Sequence, residues 1–289
     1  MIISGIHHIT AIASNPQGNL DYYTKTLGLR LVKLTVNFDD PGTYHFYFGD
    51  YHGNPGTILT FFPWPGAAKG LQGNSQATAV PFATASLVGW REKVNGGEPF
   101  QRFDTWVMPF MDPDGMALEL VAPILEGEHS PITGFAGVTL SVSSISATAK
   151  LLTEVFGYRE MQNEPNRSRY VSTAGNYVDL VTDSRRGTMG SGTVHHVAFR
   201  TEDDATQLRW LTELSKLGYP VTPVQDRQYF HSIYFREPGG VLFEIATDPP
   251  GFATDETLEN LGTHLKLPSW LEKSRAQAEA RLPKLELPR

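Results

Sequence analysis

Apolar residues along this chain fall into short alternating or continuous runs bounded by turn residues, and each series of such runs is interrupted by one helix-like segment. The first series opens with a strand-like run at 6–14. A segment at 19–27 follows, in which Leu20, Tyr23 and Leu27 recur at helical spacing and Gly28 stands where a helix would stop. Strand signals then come at 30–38, 44–48 and 57–62. The last series has the same grammar. It predicts a strand at 193–200, a helix at 204–217 stopped by Gly218-Tyr219-Pro220, and strands at 221–224, 229–236 and 241–247.

Two weaker copies lie between them. One spans about 78–122 and places the turn Asp112-Pro113-Asp114-Gly115 before Met116-Ala117-Leu118-Glu119-Leu120. The other spans 134–182 and places Ala174-Gly175 before Asn176-Tyr177-Val178-Asp179-Leu180. Turn chemistry at the same point of each block marks an internal repeat more strongly than residue identity does. The expectation is an α+β protein of four βαβββ modules in two halves, residues 1–125 and 131–250. The segment 124–130 reads as the linker between the halves. Pro249-Pro250-Gly251-Phe252 reads as an exit into a helical tail, 251–289, with helical composition at 269–282 and a packing or lid role.

Composition narrows the function. The chain has 289 residues, 40% hydrophobic and 19% charged, enough for about two ordinary domains with ample core. Its formal net charge of −7 and the lack of a basic stripe with interleaved aromatics argue against nucleic acid as a partner. No apolar run approaches the roughly 18 residues that span a bilayer. The first residues enter a strand without a basic region or cleavage site, so the expected location is cytoplasmic. There is no cysteine, which removes disulfides, thiolate nucleophiles, Fe–S clusters and cysteine zinc sites together.

Against that background the histidines stand out. Gly5-Ile6-His7-His8-Ile9-Thr10 and Val194-His195-His196-Val197-Ala198-Phe199 are near copies, one in each outer block. Nine histidines predict only about 0.3 adjacent pairs by chance, so the matched pairs point to duplication. If the modules are equivalent, each offers one ligand slot on its first strand and one on its last. Module one offers His8 and Thr60, and module four offers His196 and Glu244. Module two offers approximately Val80 and Glu119, and module three Gly137 and Asp179, a set without imidazole. The outer pair alone can therefore build a transition-metal site, and Thr60 is its weak member. Two histidines and one carboxylate that leave metal positions open form the pattern of non-haem iron(II) oxygenases. Adjacent strand residues face opposite ways, so each pair should aim one imidazole at the metal, and alternation does not say which. Thr10 shares a face with His8. His7 and His195 are then candidates for supporting the ligands or moving a proton. Tyr234 and Arg227, on the segment returning toward Glu244, are candidates to hold a substrate oxygen. Glu119 and Asp179 are expected to be hydrogen-bonded structural groups.

These residues carry a resemblance. The chain is similar to the vicinal oxygen chelate superfamily, and within it to ring-cleaving dioxygenases of the hydroquinone and chlorohydroquinone 1,2-dioxygenase type. The matching pieces are His7-His8-Ile9-Thr10, Tyr22-Tyr23-Thr24-Lys25, Tyr44-His45-Phe46-Tyr47-Phe48-Gly49-Asp50, Pro55-Gly56-Thr57 and Val194-His195-His196. Pro238-Gly239-Gly240-Val241-Leu242-Phe243-Glu244, Gly251-Phe252 and Leu261-Gly262-Thr263-His264-Leu265 complete them. The resemblance implies paired βαβββ modules, Fe(II) held by His8, His196 and Glu244, and a small aromatic substrate with O2. It places Thr10, His7, His195, Arg227 and Tyr234 around that substrate, leaves the role of His231 open, and is compatible with a homo-oligomer. Two other readings use the same fold. A glyoxalase-like isomerase or lyase usually wants a second carboxylate where this chain has Thr60. A metal-dependent small-molecule binding protein is commonly a single pair of modules, and this chain has two pairs.

Overall fold

A computed structural model describes residues 1–288. Module one comprises β1 (Ile6–Ala13), α1 (Pro16–Asp21), β2 (Arg30–Asn37), β3 (Asp40–Gly49) and β4 (Ile58–Pro63). Module two comprises β5 (Gln76–Thr84), α2 (Trp90–Val94), β6 (Phe100–Arg102), β7 (Thr105–Met111) and β8 (Ala117–Ala122). A short strand, β9 (Ile132–Phe135), precedes module three: β10 (Gly137–Ser141), α3 (Ile145–Lys150), β11 (Arg159–Glu164), β12 (Arg167–Val171) and β13 (Tyr177–Val181). Module four comprises β14 (Thr193–Thr201), α4 (Asp204–Lys216), β15 (Gln225–Asp226), β16 (Phe230–Arg236) and β17 (Leu242–Pro250), and α5 (Arg275–Arg281) lies in the tail.

Modules pair by position in the chain, outermost with outermost. One sheet has the order β15-β16-β17-β14-β1-β4-β3-β2, so modules one and four meet along β1 and β14. The other has the order β11-β12-β13-β10-β5-β8-β7-β6, joining modules two and three along β5 and β10, with β9 also on β5. Each sheet thus takes one module from each half of the sequence. The stretches 1–125 and 131–250 are halves of the chain and share both sheets.

Several elements differ from the sequence expectation for identifiable reasons. The first helix begins earlier than 19, at Pro16, because the Asn15 side chain accepts from Gly18 N and Pro16 fits the first helical turn. It then widens into a π-type turn over Tyr22–Thr26 and not a continued α-helix. Residues 221–224 do not form a strand. Pro220 and Pro223 remove two donors, and the segment is tied to β16 at Thr222, whose N donates to Tyr234 O at 2.9 Å and whose hydroxyl accepts from Tyr234 N at 3.0 Å. The tail helix is shorter than 269–282 and runs Arg275–Arg281.

The tail also does more than cover a face. β2 and β15 are the two ends of the outer sheet. Lys33 on β2 is fully buried, and its ammonium lies 2.6 Å from Asp255 Oδ1, against Glu256, and 4.7 Å from the ring centre of Tyr229. The Tyr229 hydroxyl, just ahead of β16, donates to Asp255 Oδ2 at 3.1 Å. One tail segment therefore bridges both ends of the sheet through charge and a hydroxyl. Beside it, Val32, Tyr47, Ile58, Phe230, Phe252 and Leu261 close an apolar cluster separate from the main core. On the other side Arg227 reaches 3.1 Å to Asp39 Oδ2, joining the segment after β15 to the β2–β3 turn. Removing one member of a buried ion cluster strands the others, at a cost of about 3–5 kcal/mol. Lys33→Met should therefore lower the thermal midpoint clearly, and adding Asp255→Asn with Glu256→Gln should restore part of the loss, as read by differential scanning calorimetry.

Candidate metal centre

The two β-bulges at the β1·β14 junction set the geometry of the site. Ile6 pairs with Phe199 and His8 with Ala198, so His7 is an extra residue on β1. Thr10 pairs with His196 and Ala11 with Val194, so His195 is an extra residue on β14. A bulge puts two residues opposite one and breaks the alternation of faces. The expectation that neighbouring histidines point apart fails here for that reason. In each pair the two imidazoles meet: His7 Nδ1 lies 2.9 Å from His8 Nδ1, and His195 Nδ1 lies 2.8 Å from His196 Nδ1.

With their Nδ1 atoms engaged, His8 and His196 turn their Nε2 atoms toward each other's neighbour, Glu244. His196 Nε2 is 2.9 Å and His8 Nε2 3.4 Å from Glu244 Oε2. Ligand atoms of the three residues all lie within 4.8 Å of one another, and all three residues are buried. The strand ladders explain the convergence. Ala198, two residues past His196, pairs with Glu244, as Thr10, two residues past His8, pairs with Thr60. Thr60 thus stands in the place equivalent to Glu244, and its hydroxyl donates to Thr10 Oγ1 at 2.9 Å.

The donor set suits a divalent cation. Burial pushes the Glu244 carboxyl up, but the imidazoles of His8 and His196 outweigh it and hold it well below the usual carboxylate range. Ser232 Oγ donates to Oε1, whereas Oε2 is buried with no donor aligned to it. An ionised, fully buried carboxylate oxygen between two imidazole nitrogens is a cation ligand in waiting. If His8 and His196 ligate through Nε2, each must carry its hydrogen on Nδ1 and donate it to the neighbouring histidine. The second histidine of each motif is thereby fixed in orientation by the first, which is the usual support for a ligating imidazole. Burial lowers His195 to about 3 and takes His7 well below its ordinary value, so both are neutral acceptors.

A cavity of about 530 Å³ opens beside the three ligands. Thr10, His195, Arg227 and Tyr234 line it, with Phe62 and Trp64 among its aromatic walls. His7 does not line it. That side chain packs on Phe230, a wall of the cavity, at 5.2 Å between ring centres. Tyr234 pairs directly across from Glu244, and Arg227 Nε donates to its hydroxyl at 3.2 Å. Burial raises the Tyr234 phenol well above its ordinary value, so it stays protonated. His231 lies away from the site, 2.6 Å from Asp204 Oδ1 at the start of α4. His45, Asp39 and Ser232 also belong to the site and were not singled out from the sequence. For Ser232 the signal was its position two residues before Tyr234 on the strand that pairs with Glu244.

The inner sheet shows why its slots differ. Thr139 pairs with Ala79 as Thr10 pairs with His196, so the module-two slot is Ala79 and not Val80. Glu119 takes two bonds from Arg102, at 2.7 and 2.9 Å. Asp179 is paired by Arg169 at 2.7 and 2.8 Å and by Arg167 at 2.8 Å. Gly137 has the Tyr177 ring packed where a side chain would begin. Both carboxylates are thus neutralised by guanidinium groups of the chain itself.

Comparison with known proteins agrees with this architecture. A family profile described as "Glyoxalase/Bleomycin resistance protein/Dioxygenase superfamily" matches residues 134–245. MhqO of Bacillus subtilis (strain 168), provisionally named a ring-cleaving dioxygenase, is 47% identical, with 98% of this chain and 97% of that protein covered. The chlorohydroquinone/hydroquinone 1,2-dioxygenase of Sphingobium indicum is 34% identical, with 93% of each chain covered. A crystal structure from Bacillus subtilis subsp. subtilis str. 168, provisionally named a dioxygenase, superposes with a TM-score of 0.95 at 46% identity over 99% of both chains. Glyoxalase I from Zea mays shares the fold, with a TM-score of 0.66 at 15% identity over 90% of this chain and 97% of that one.

Metal content tests the geometry directly. His8→Ala, His196→Ala and Glu244→Ala should each lose a bound divalent metal on dialysis, whereas His195→Ala should retain it. Elemental analysis of the dialysed proteins distinguishes these cases, and equal loss in His195→Ala would contradict the assignment of ligand and support within that pair.

Proposed function

Because this chain belongs to the glyoxalase/bleomycin resistance protein/dioxygenase superfamily, among its ring-cleaving dioxygenases, we propose that it is an iron(II)-dependent enzyme that opens a hydroquinone-like or catechol-like ring with O2. The observation that carries this reading is a buried two-histidine, one-glutamate set beside an aromatic-walled cavity, with a threonine in the fourth slot. A glyoxalase-like isomerase or lyase would be better served by a carboxylate there, which Thr60 does not offer. His8, His196 and Glu244 would hold the metal, which when bound supplies Lewis acidity toward an aromatic hydroxyl and redox activation of dioxygen.

The protein's own part is orientation and charge. Phe62 and Trp64 offer flat apolar walls for a ring, and hold it by burial and edge or face contact. The Tyr234 phenol and the Arg227 guanidinium present hydrogens on the side next to Glu244, suited to an oxygen that carries negative charge. His195 stands at the cavity with its Nδ1 committed to His196. In its neutral form its hydrogen is then on Nε2, where it can donate to a substrate oxygen. Thr10 adds a hydroxyl beside the ligand set. Together these groups surround a bound ring with donors, the arrangement expected for a substrate that ionises as it binds.

The reading is tested by oxygen uptake. Protein reconstituted with iron(II) without air should consume one O2 per molecule of hydroquinone, methylhydroquinone or catechol that it opens, with both atoms of labelled dioxygen in the product. Bound iron without uptake on any member of the panel would reject it. Tyr234→Phe and Arg227→Ala should keep iron and lower turnover by about 10–100-fold, corresponding to roughly 1.4–2.7 kcal/mol of transition-state stabilisation. Arg227 also holds Asp39 across the sheet ends. Melting temperature measured on the same preparations therefore separates lost anchoring from lost substrate contact. A loss of stability with near-normal turnover per iron in the Tyr234 and Arg227 variants would make those residues structural.

A further inference from the structure

The roles above leave unexplained a row of four hydrogen-bonded side chains in module one. The Tyr47 hydroxyl lies 3.0 Å from His45 Nδ1, His45 Nε2 lies 2.9 Å from Thr60 Oγ1, and Thr60 Oγ1 lies 2.9 Å from Thr10 Oγ1. The row runs from β3 through β4 to β1 and ends in the cavity at Thr10.

Strand register gives the row a counterpart. Tyr47 pairs with Thr60 as Tyr234 pairs with Glu244, and two residues earlier on each strand stand His45 and Ser232. In module four these positions hold a ligand carboxylate oriented by a serine. In module one they hold a hydroxyl oriented by a histidine. The duplicated frame therefore uses one side of the centre to bind a cation and the other to aim a hydrogen.

The direction of that hydrogen follows from the partners. Burial pushes the Tyr47 phenol well above its ordinary value and the His45 imidazole well below its own, so both are neutral. A buried phenol left without an acceptor is costly, and among the described residues His45 Nδ1 is the partner of Tyr47. Neutral His45 then has its hydrogen on Nε2 and donates to Thr60. Thr60 in turn donates to Thr10. The hydrogen of Thr10 has no acceptor among the described residues and is left to the cavity.

We propose that His45 is a positioning residue which, with its tautomer set by Tyr47 and acting through Thr60, makes Thr10 a hydrogen-bond donor to an anionic oxygen of the aromatic substrate. The substrate half of this statement rests on the ring-cleaving reading; the polarity of the row does not. A donor to a charged oxygen strengthens as charge develops on it, whereas the reverse polarity would make Thr10 an acceptor that such an oxygen repels.

Two measurements on the full chain test it. Nitrogen NMR of histidine-labelled, metal-free protein near neutral pH should find His45 with its hydrogen on Nε2, and Tyr47→Phe should shift it toward a mixture of tautomers. A hydrogen on Nδ1 in the unsubstituted protein overturns the proposal whether or not any aromatic is turned over. Steady-state kinetics with hydroquinone should then show that Thr10→Val and His45→Leu lower kcat by about 10–100-fold at unchanged iron content, the loss expected for one bond to a charged group. His45→Gln, whose amide hydrogen can replace that on Nε2, should recover most of kcat. Equal loss in the Gln and Leu variants would overturn the positioning role. Absence of turnover in the unsubstituted protein on every aromatic would reject the ring-cleaving reading and the substrate half with it, leaving the tautomer result to stand separately.

Discussion

Glu244 is a carboxylate with no solvent exposure, and burying such a charge costs several kcal/mol unless positive charge meets it. The outer sheet is arranged around that constraint. Modules one and four meet antiparallel along β1 and β14, and a bulge in each strand brings a histidine pair onto one side. One imidazole of each pair faces Glu244 and the other grips its Nδ1. Ser232 satisfies one carboxylate oxygen and leaves the second free to coordinate. Without a cation the site is three potential ligands facing one another. A divalent ion bound there would balance the buried charge and hold together two modules that lie nearly 190 residues apart.

The inner sheet meets the same electrostatic problem differently. Glu119 and Asp179 occupy positions equivalent to Glu244, and Ala79 and Gly137 stand where imidazoles would be. Arg102, Arg167 and Arg169 supply the positive charge from within the chain, and Arg169 stacks on Tyr177 with 3.6 Å between guanidinium carbon and ring centre. A carboxylate whose two oxygens are already taken by guanidinium groups has little to offer a metal. One duplicated frame has therefore produced one centre suited to coordination and one internally neutralised core. The tail reinforces the first, because Lys33, Asp255, Glu256 and Tyr229 join the ends of its sheet.

Much of this was legible in the sequence because duplication leaves its turns in register. Counting from Gly239-Gly240 identified Glu244, and counting from Gly56 identified Thr60, without any structure. Matched histidine pairs then named the two modules that share a centre. What could not be read was local backbone irregularity. Strict alternation separates His7 from His8, and only the bulges bring their rings together. Residues 221–224 read as a strand in the repeat, but Pro220 and Pro223 lack the backbone donors that a strand there would use. His45 was hidden for another reason. Its partners Tyr47, Thr60 and Thr10 come from three strands, and their connection depends on pairing that no single segment reveals.

If His8, His196 and Glu244 hold one metal ion, iron(II) bound to the protein must lie between them, beside the cavity. Anomalous diffraction from crystals of the iron(II)-loaded protein, recorded on both sides of the iron edge, tests it most directly. A single peak is expected within bonding distance, about 2.0–2.2 Å, of His8 Nε2, His196 Nε2 and a Glu244 carboxylate oxygen. Crystals that carry stoichiometric iron with the peak elsewhere, beside Glu119 or Asp179 for example, would contradict it.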